Sequence, residues 1–217
     1  MLENEKKLIV EYGKKLLDEH YTLGTGGNLS IYDREKDIMA ITPSGISFKD
    51  CTVDDIIVMK LDGTILEGKW KQSSEWVMHK KLYENRTDIN AVIHAHTIYS
   101  TVLSTLRWDL PASHYMLAVA GKDVKCAAYA SYGTPELADN AYSAMIGRKA
   151  VLLANHGILT GEKDISGAFN VLEEVEYCSN IHIKAKSIGE PVIIDDEEMK
   201  RMAEKFKTYG QSIKNIE

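Results

Sequence analysis

Strand and helix signals that interleave along the chain, and tight hairpin-type turns near its start, predict an α/β fold on a mixed or antiparallel sheet. The length of 217 residues exceeds the roughly 150 that a domain usually takes, so one large domain over residues 1–217 is expected. A chain of this size buries roughly 70% of the surface its unfolded form exposes. It needs neither a disulfide nor a metal to fold, and a metal would be present for another reason.

The elements follow in order from local pattern. Leu8, Ile9, Tyr12, Leu16 and Leu17 recur at helical spacing and predict an amphipathic helix from Glu5 to Leu17. The glycine-rich stretch 24–30, GTGGNLS, ends it and leads into strands at 29–32 and 38–41, followed by a turn at Thr42-Pro43-Ser44-Gly45. A third strand is expected at 56–61, closed by the hairpin signal Asp62-Gly63. Ser73 or Ser74, followed by Glu75 and an apolar-periodic stretch to Tyr83, reads as a capped helix start. Ala91-Val92-Ile93 forms a short strand that runs into His94-Ala95-His96. Beyond it come a helix at 135–146, strands at 150–154 and 158–160 around the turn Asn155-His156-Gly157, and helices at 164–188 and 195–209. No internal repeat or low-complexity linker interrupts this order.

Composition narrows the function. Hydrophobic residues at 44% and charged residues at 27% exclude a disordered, collagen-like or coiled-coil chain. Lys and Arg number 26 against 32 Asp and Glu, a net charge of −6. No basic block is present, so nucleic-acid binding lacks its electrostatic footprint. Cys51, Cys126 and Cys178 are odd in number and widely spaced, which fits reduced thiols. The first seventeen residues alternate charged and apolar types, unlike a secretion signal or a membrane span, so a cytoplasmic protein is expected.

The histidines carry the chemistry. Residues two apart in a strand point the same way, so His94 and His96 can offer two imidazoles to one metal, with His156 arriving from a neighbouring strand end. Three histidines with an open fourth position is a usual arrangement of catalytic zinc. The His-x-His pair alone equally fits two surface histidines; His156 in its turn shifts the reading toward a metal. Glu75 is the proton carrier best placed by context, although a helix N-terminus also favours an acid there for its dipole alone. Three polar turns, at Gly24–Ser30, Thr42–Gly45 and Ser73-Ser74, could form a phosphate cradle from N–H groups and hydroxyls without Lys or Arg. Tyr115 and Tyr209 read from physics alone as half-buried surface aromatics, and His20, His79, His114 and His182 as structural or surface residues.

Taken in order, GTGGNLS at Gly24, ITPSGI at Ile41, SSEW at Ser73, AVIHAH at Ala91, HYM at His114, YGTPEL at Tyr132, ANHG at Ala154 and EKFKTYG at Glu204 resemble the class II aldolase/epimerase family over nearly the whole chain. The resemblance implies a three-layer αβα fold whose central sheet is mixed and mainly antiparallel. It implies one Zn2+ per subunit held by His94, His96 and His156, with Glu75 as acid/base and fourth ligand. It assigns Thr25, Gly26, Asn28, Ser44, Gly45, Ser73 and Ser74 to the phosphate. Tyr115 and Tyr209 would reach a site completed by a neighbouring subunit of a four-fold homotetramer, and Tyr132 would wall the aldehyde pocket. Glu rather than Asp at position 75 favours aldol cleavage over epimerisation. Gly26 and Asn155 depart from the family pattern, without touching an implied ligand. The expected reaction is reversible cleavage of L-fuculose 1-phosphate, or a related deoxy-ketose 1-phosphate, to dihydroxyacetone phosphate and a small aldehyde such as L-lactaldehyde. Rivals on the same scaffold are L-ribulose-5-phosphate 4-epimerase and methylthioribulose-1-phosphate dehydratase. A non-enzymatic rival is an adducin-head-like binding module, which would lack the metal residues.

Overall fold

A computed structural model describes residues 1–208. Its strands are β1 (Asn28–Asp33), β2 (Ile38–Ile41), β3 (Ile57–Met59), β4 (Ile65–Glu67), β5 (Ala91–Ala95), β6 (Lys125–Ala127), β7 (Ala150–Leu153) and β8 (Gly157–Glu162). They form one sheet in the order β4-β3-β2-β1-β5-β8-β7-β6. Only β6 and β7 run parallel; the other neighbours are antiparallel. The helices are α1 (Glu3–Asp18), α2 (Trp76–Asn85), α3 (Ile98–Leu106), α4 (Pro135–Met145), α5 (Ile165–Ile188) and α6 (Asp196–Phe206).

Why helices cover both faces follows from the period-two alternation of side chains in buried strands. Ala91, Ile93 and Ala95 of β5 and Ile158 of β8 join a core with residues of α1, α3, α5 and α6. Val92 and Leu159 point the other way, into a second core with residues of α2 and α4. The result is the expected three-layer αβα arrangement around a mixed, mainly antiparallel sheet. Burying each large aliphatic side chain contributes roughly 1.5–3 kcal/mol. Side-chain caps fix where α4, α5 and α6 begin: Thr134, Asp164 and Asp195 accept from the N–H groups of Leu137, Gly167 and Glu198. Among the described residues, no helix is long and apolar enough to cross a membrane.

The structure departs from sequence expectation in several places. The strand expected at 56–61 is shorter, Ile57–Met59, and the turn after it leads into β4, which the pattern did not reveal. Neither α3 nor the short edge strand β6 was anticipated. The helix after Ser73-Ser74 is not capped by a serine: Glu75 occupies the N-cap position without a side-chain cap, and Ser73 Oγ instead accepts from the Glu75 N–H. The last helix ends at Phe206, before the expected Tyr209. The three cysteines are free thiols, and burial raises each above its ordinary pKa.

Leu159 is fully buried in the second core. Leu159→Ala is expected to lower stability by about 2–5 kcal/mol through lost contacts and a residual cavity. A urea midpoint that falls at constant m-value checks it, and an unchanged midpoint contradicts it.

Candidate metal centre and active site

The pairing of β5 with β8 assembles the histidines. His94 lies opposite Leu159 and Ala95 opposite Ile158, so the chain leaving β5 at His96 faces the turn entering β8, where His156 sits. His94 Nε2 lies 3.1 Å from His96 Nε2. One ring nitrogen from each of His94, His96 and His156 falls within 4.8 Å of the others, the geometry of a shared metal ion. The tautomer of His94 follows from its partner: Nδ1–H donates to the Ile158 carbonyl at 2.8 Å, which leaves the Nε2 lone pair free toward the centre. Burial is the main cause that holds His94 well below the ordinary histidine pKa, and His96 also below it, with the charge of His156 adding to both. Neutral imidazole is the ligating form.

Close backbone packing holds the ring of His96. A Cβ on Gly26 would stand 2.9 Å from His96 Nδ1, so this position of the glycine loop excludes a side chain. Gly27, at φ 82°, passes so near the His94 carbonyl that a Cβ would lie 2.6 Å from its oxygen.

Glu75 completes the set. Its Oε2 lies 3.3 Å from His94 Nε2 and its Oε1 3.6 Å from His156 Nε2. Asn28 Nδ2 donates to Oε2 at 2.9 Å. Oε1 is buried without a hydrogen-bond partner. A buried carboxylate oxygen in that condition is costly unless a cation or a proton meets it. This orphaned oxygen beside three convergent imidazoles fits a divalent metal of the nitrogen-and-oxygen type, with Glu75 as a fourth donor.

Behind Asn28 runs a buried chain. His79 Nε2–H donates to Asn28 Oδ1 at 2.5 Å, and its Nδ1 accepts from the Ser30 hydroxyl at 2.6 Å, which in turn lies 2.5 Å from the Tyr83 hydroxyl. The amide of Asn28 is thereby fixed with its NH2 toward Glu75. Sequence reading assigned His79 to structure without this contact; its position four residues after Glu75, on the same helical face, was the available signal.

A cavity of about 310 Å3 opens on the centre. The expected phosphate residues Thr25, Gly26, Asn28, Ser44, Gly45, Ser73 and Ser74 all line it, together with Glu75, His96 and His156. Tyr129, Tyr132 and Asn155 add to the wall, Tyr129 being unanticipated. Tyr115 is elsewhere. It starts a 3-10 turn, is 46% exposed, and packs against His114 and Phe206 rather than lining its own chain's cavity. Tyr209 lies outside the described residues.

Comparison with known proteins agrees with the fold. The family model for the class II aldolase and adducin N-terminal domain matches residues 7–183. A 5-deoxy-D-ribulose 1-phosphate aldolase of Bacillus thuringiensis serovar kurstaki is 46% identical over 211 residues, 97% of this chain and 99% of that protein. An L-fuculose phosphate aldolase of Escherichia coli K12 is 41% identical over 192 residues, 88% of each. A solved L-fuculose 1-phosphate aldolase superposes with a TM-score of 0.92 at 60% identity, covering 94% of this chain and 96% of that one. The chain belongs to the class II aldolase family. It is an aldolase of the fuculose/deoxyribulose-phosphate type, a carbon–carbon lyase.

Burial moves His79 down to about 3. The native state therefore keeps this ring neutral while the unfolded chain protonates below about 6.5, so stability present above 6.5 is lost as pH falls toward 3. His94, His96 and His182 act in the same direction. Glu173, pushed up to about 7 mainly by burial, acts oppositely. Metal-free wild type should lose stability between pH 6 and 4 more steeply than His79→Gln, by up to about 1.4 kcal/mol per pH unit. Parallel urea-derived curves for the two would contradict this.

Proposed function

We propose that the protein cleaves a deoxy-ketose 1-phosphate, L-fuculose 1-phosphate or its close analogue 5-deoxyribulose 1-phosphate, reversibly to dihydroxyacetone phosphate and a small aldehyde. The single observation that carries this is the buried, unpartnered Glu75 oxygen facing three convergent imidazoles at the floor of a hydroxyl- and N–H-lined cavity. Zn2+ is the proposed metal, held by His94, His96, His156 and Glu75; when bound it supplies Lewis-acid polarisation of the substrate carbonyl. The two candidate substrates share the three-carbon phosphate half and differ in the aldehyde half, L-lactaldehyde from one and acetaldehyde from the other. The relatives named for each support both.

Each residue then has a task. Thr25, Gly26, Asn28, Ser44, Gly45, Ser73 and Ser74 hold the phosphate through N–H groups, hydroxyls and one amide, placing the C3–C4 bond beside Glu75. As the bond opens, the proton of the C4 hydroxyl, whose oxygen becomes the aldehyde oxygen, leaves by way of Tyr115 to solvent, and Glu75 passes a solvent-derived proton to C3, so that one proton is lost and one gained per turnover. Because Tyr115 stands outside its own chain's cavity and half exposed, we place it in the site of a neighbouring subunit, in a homotetramer that Tyr209 also serves. We place the enzyme, one aldolase-type domain over residues 1–217, in the cytoplasm, with no nucleic-acid or membrane partner.

Zinc-loaded protein incubated with each ketose phosphate should release dihydroxyacetone phosphate, read by coupling to glycerol-phosphate dehydrogenase, and a chelator should abolish it. Absence of a three-carbon ketose phosphate with both substrates would refute these two ketose phosphates as its substrates.

Two variants separate the halves of the reaction. Glu75→Gln should reduce turnover by roughly 10²- to 10⁴-fold and suppress proton exchange at C3 of dihydroxyacetone phosphate. Tyr115→Phe should slow cleavage while sparing that exchange, and equal loss of both would contradict a role confined to the aldehyde half. Solvent deuterium incorporation followed by NMR gives the exchange rate.

A further inference from the structure

Glu176, on α5, is 7% exposed, and no basic side chain pairs with it among the described residues. Its carboxylate is satisfied by α3 alone. Oε2 accepts from Thr97 Oγ1 at 2.6 Å, from Ser100 N at 2.8 Å and from Ser100 Oγ at 2.7 Å, and Oε1 accepts from Tyr99 N at 2.7 Å. Thr97 is the N-cap residue of α3, yet its own side chain makes no cap. Glu176 therefore caps the helix from across the fold, with its negative charge at the positive end of the helix dipole. The capped turn follows His96 immediately in sequence.

The other end of α3 is tied to the second histidine turn. The backbone N–H of Asn155 donates to the Ser104 carbonyl at 3.0 Å. Asn155 Oδ1 accepts from Arg107 Nε at 3.3 Å, and Nδ2 reaches the Thr105 carbonyl at 3.5 Å. Asn155 itself holds a left-handed conformation at φ 53°, which Asn adopts more readily than most residues. His156 is the next residue. One nine-residue helix thus begins just after His96 and ends against the residue just before His156.

Removing the carboxylate would leave four donors at the start of α3 without their acceptor, so Glu176 stabilises the helix start whatever else it does. Its placement points to geometry. We propose that α3 is a strut that sets the separation of His96 and His156, and that Glu176 is the positioning residue that locks it, with Asn155 seating its far end. The proposal rests on the metal reading above. Glu176 touches neither metal nor substrate; it acts through the Thr97 turn on the placement of the His96 ring.

The test compares metal-free wild type, Glu176→Gln, Thr97→Val and Val171→Ala, the last a buried core residue on the same helix with no part in the cap. Zinc affinity is read by competition with a chromogenic chelator, and ligand geometry by the visible absorption of the cobalt(II) form. Glutamine keeps the shape but presents an NH2 where two backbone N–H groups and two hydroxyls need acceptors. Glu176→Gln is expected to raise the zinc Kd roughly 10- to 100-fold and to alter the cobalt spectrum, as loss of supporting contacts around a metal ligand does elsewhere. Thr97→Val, which removes one donor and keeps the carboxylate, should raise Kd less, and it carries the test if Glu176→Gln fails to fold. Val171→Ala should lower the melting temperature with Kd and spectrum unchanged. If Glu176→Gln and Thr97→Val lose stability but bind zinc and cobalt as wild type does, Glu176 is a helix cap and the strut is refuted. If wild type itself binds neither metal, the metal reading fails, and the strut with it.

Discussion

The three convergent histidines owe their places to the antiparallel register of β5 against β8. That pairing sets His94 across from Leu159 and brings the end of β5 alongside the start of β8, so residues some sixty positions apart in sequence share one corner of the sheet. Because side chains alternate strictly, a slip of one residue in this pair would send His94 into the opposite core and bring Ile93 to the centre. The apolar residues flanking His94 prevent the slip: Ile93 and Ala95 are fully buried in one core and Val92 in the other. Core packing and ligand placement are therefore the same constraint. The fully buried His94 shows the cost of this arrangement, since its ring must remain neutral and donate Nδ1–H to the Ile158 carbonyl to be tolerated at all.

Around this corner the supports come from separate elements with separate physical devices. β1 pairs with β5 on the other side and sets Asn28 opposite His94, so the amide that meets Glu75 is positioned by sheet register. The glycine loop before β1 approaches so closely that backbone replaces side chain at Gly26 and Gly27. From α2 comes Glu75, at the helix start, and His79 one turn later, which fixes the Asn28 amide from beneath. The two carboxylates near the centre contrast in a telling way. All four hydrogen bonds to Glu176 come from one helical turn, whereas Glu75 keeps one oxygen without a partner. A saturated carboxylate is suited to holding structure, and an unsaturated one to receiving a cation or a proton.

Much of this was legible in the sequence, and the failures share a cause. The helices α1, α4 and α5 and the strands β1, β2, β7 and β8 announce themselves through periodicity, caps and turns, which are local. His94-x-His96 is local too, and strand geometry alone puts both rings on one side. By contrast α3, with the sequence IYSTVLSTL, is rich in β-branched residues and lacks a side-chain N-cap of its own. Its first turn is capped by Glu176, seventy-six positions from Ser100, and a contact at that distance leaves no local trace. The serine cap expected before Trp76 failed for a related reason: Ser73 does bond to the backbone there, but Glu75 is drawn away from the capping role by Asn28 and the histidines. β6 is three residues long at the sheet edge, too short for alternation to show.

The charge of the cavity bears on what it can hold. None of the described residues lining it is Lys or Arg, and the chain as a whole carries a net charge of −6, so long-range electrostatics does not draw a phosphate dianion inward. On the proposed reading hydrogen bonding holds the dianion, through the N–H groups of the glycine loop and of the Ser44-Gly45 and Ser73-Ser74 turns. On the proposed reading the divalent cation would provide the balancing positive charge, a few ångströms away and at the reacting end of the substrate. That division has a chemical consequence. A lysine beside the phosphate would spend the favourable electrostatics on binding, equally in ground and transition states, whereas charge concentrated at the carbonyl end acts most strongly when negative charge develops there. On that reading, neutral recognition of the phosphate and a single cation at the other end of the cavity would favour turnover over tight binding, and would make Glu75, the anion nearest that cation's place, the group whose position the reaction would feel most.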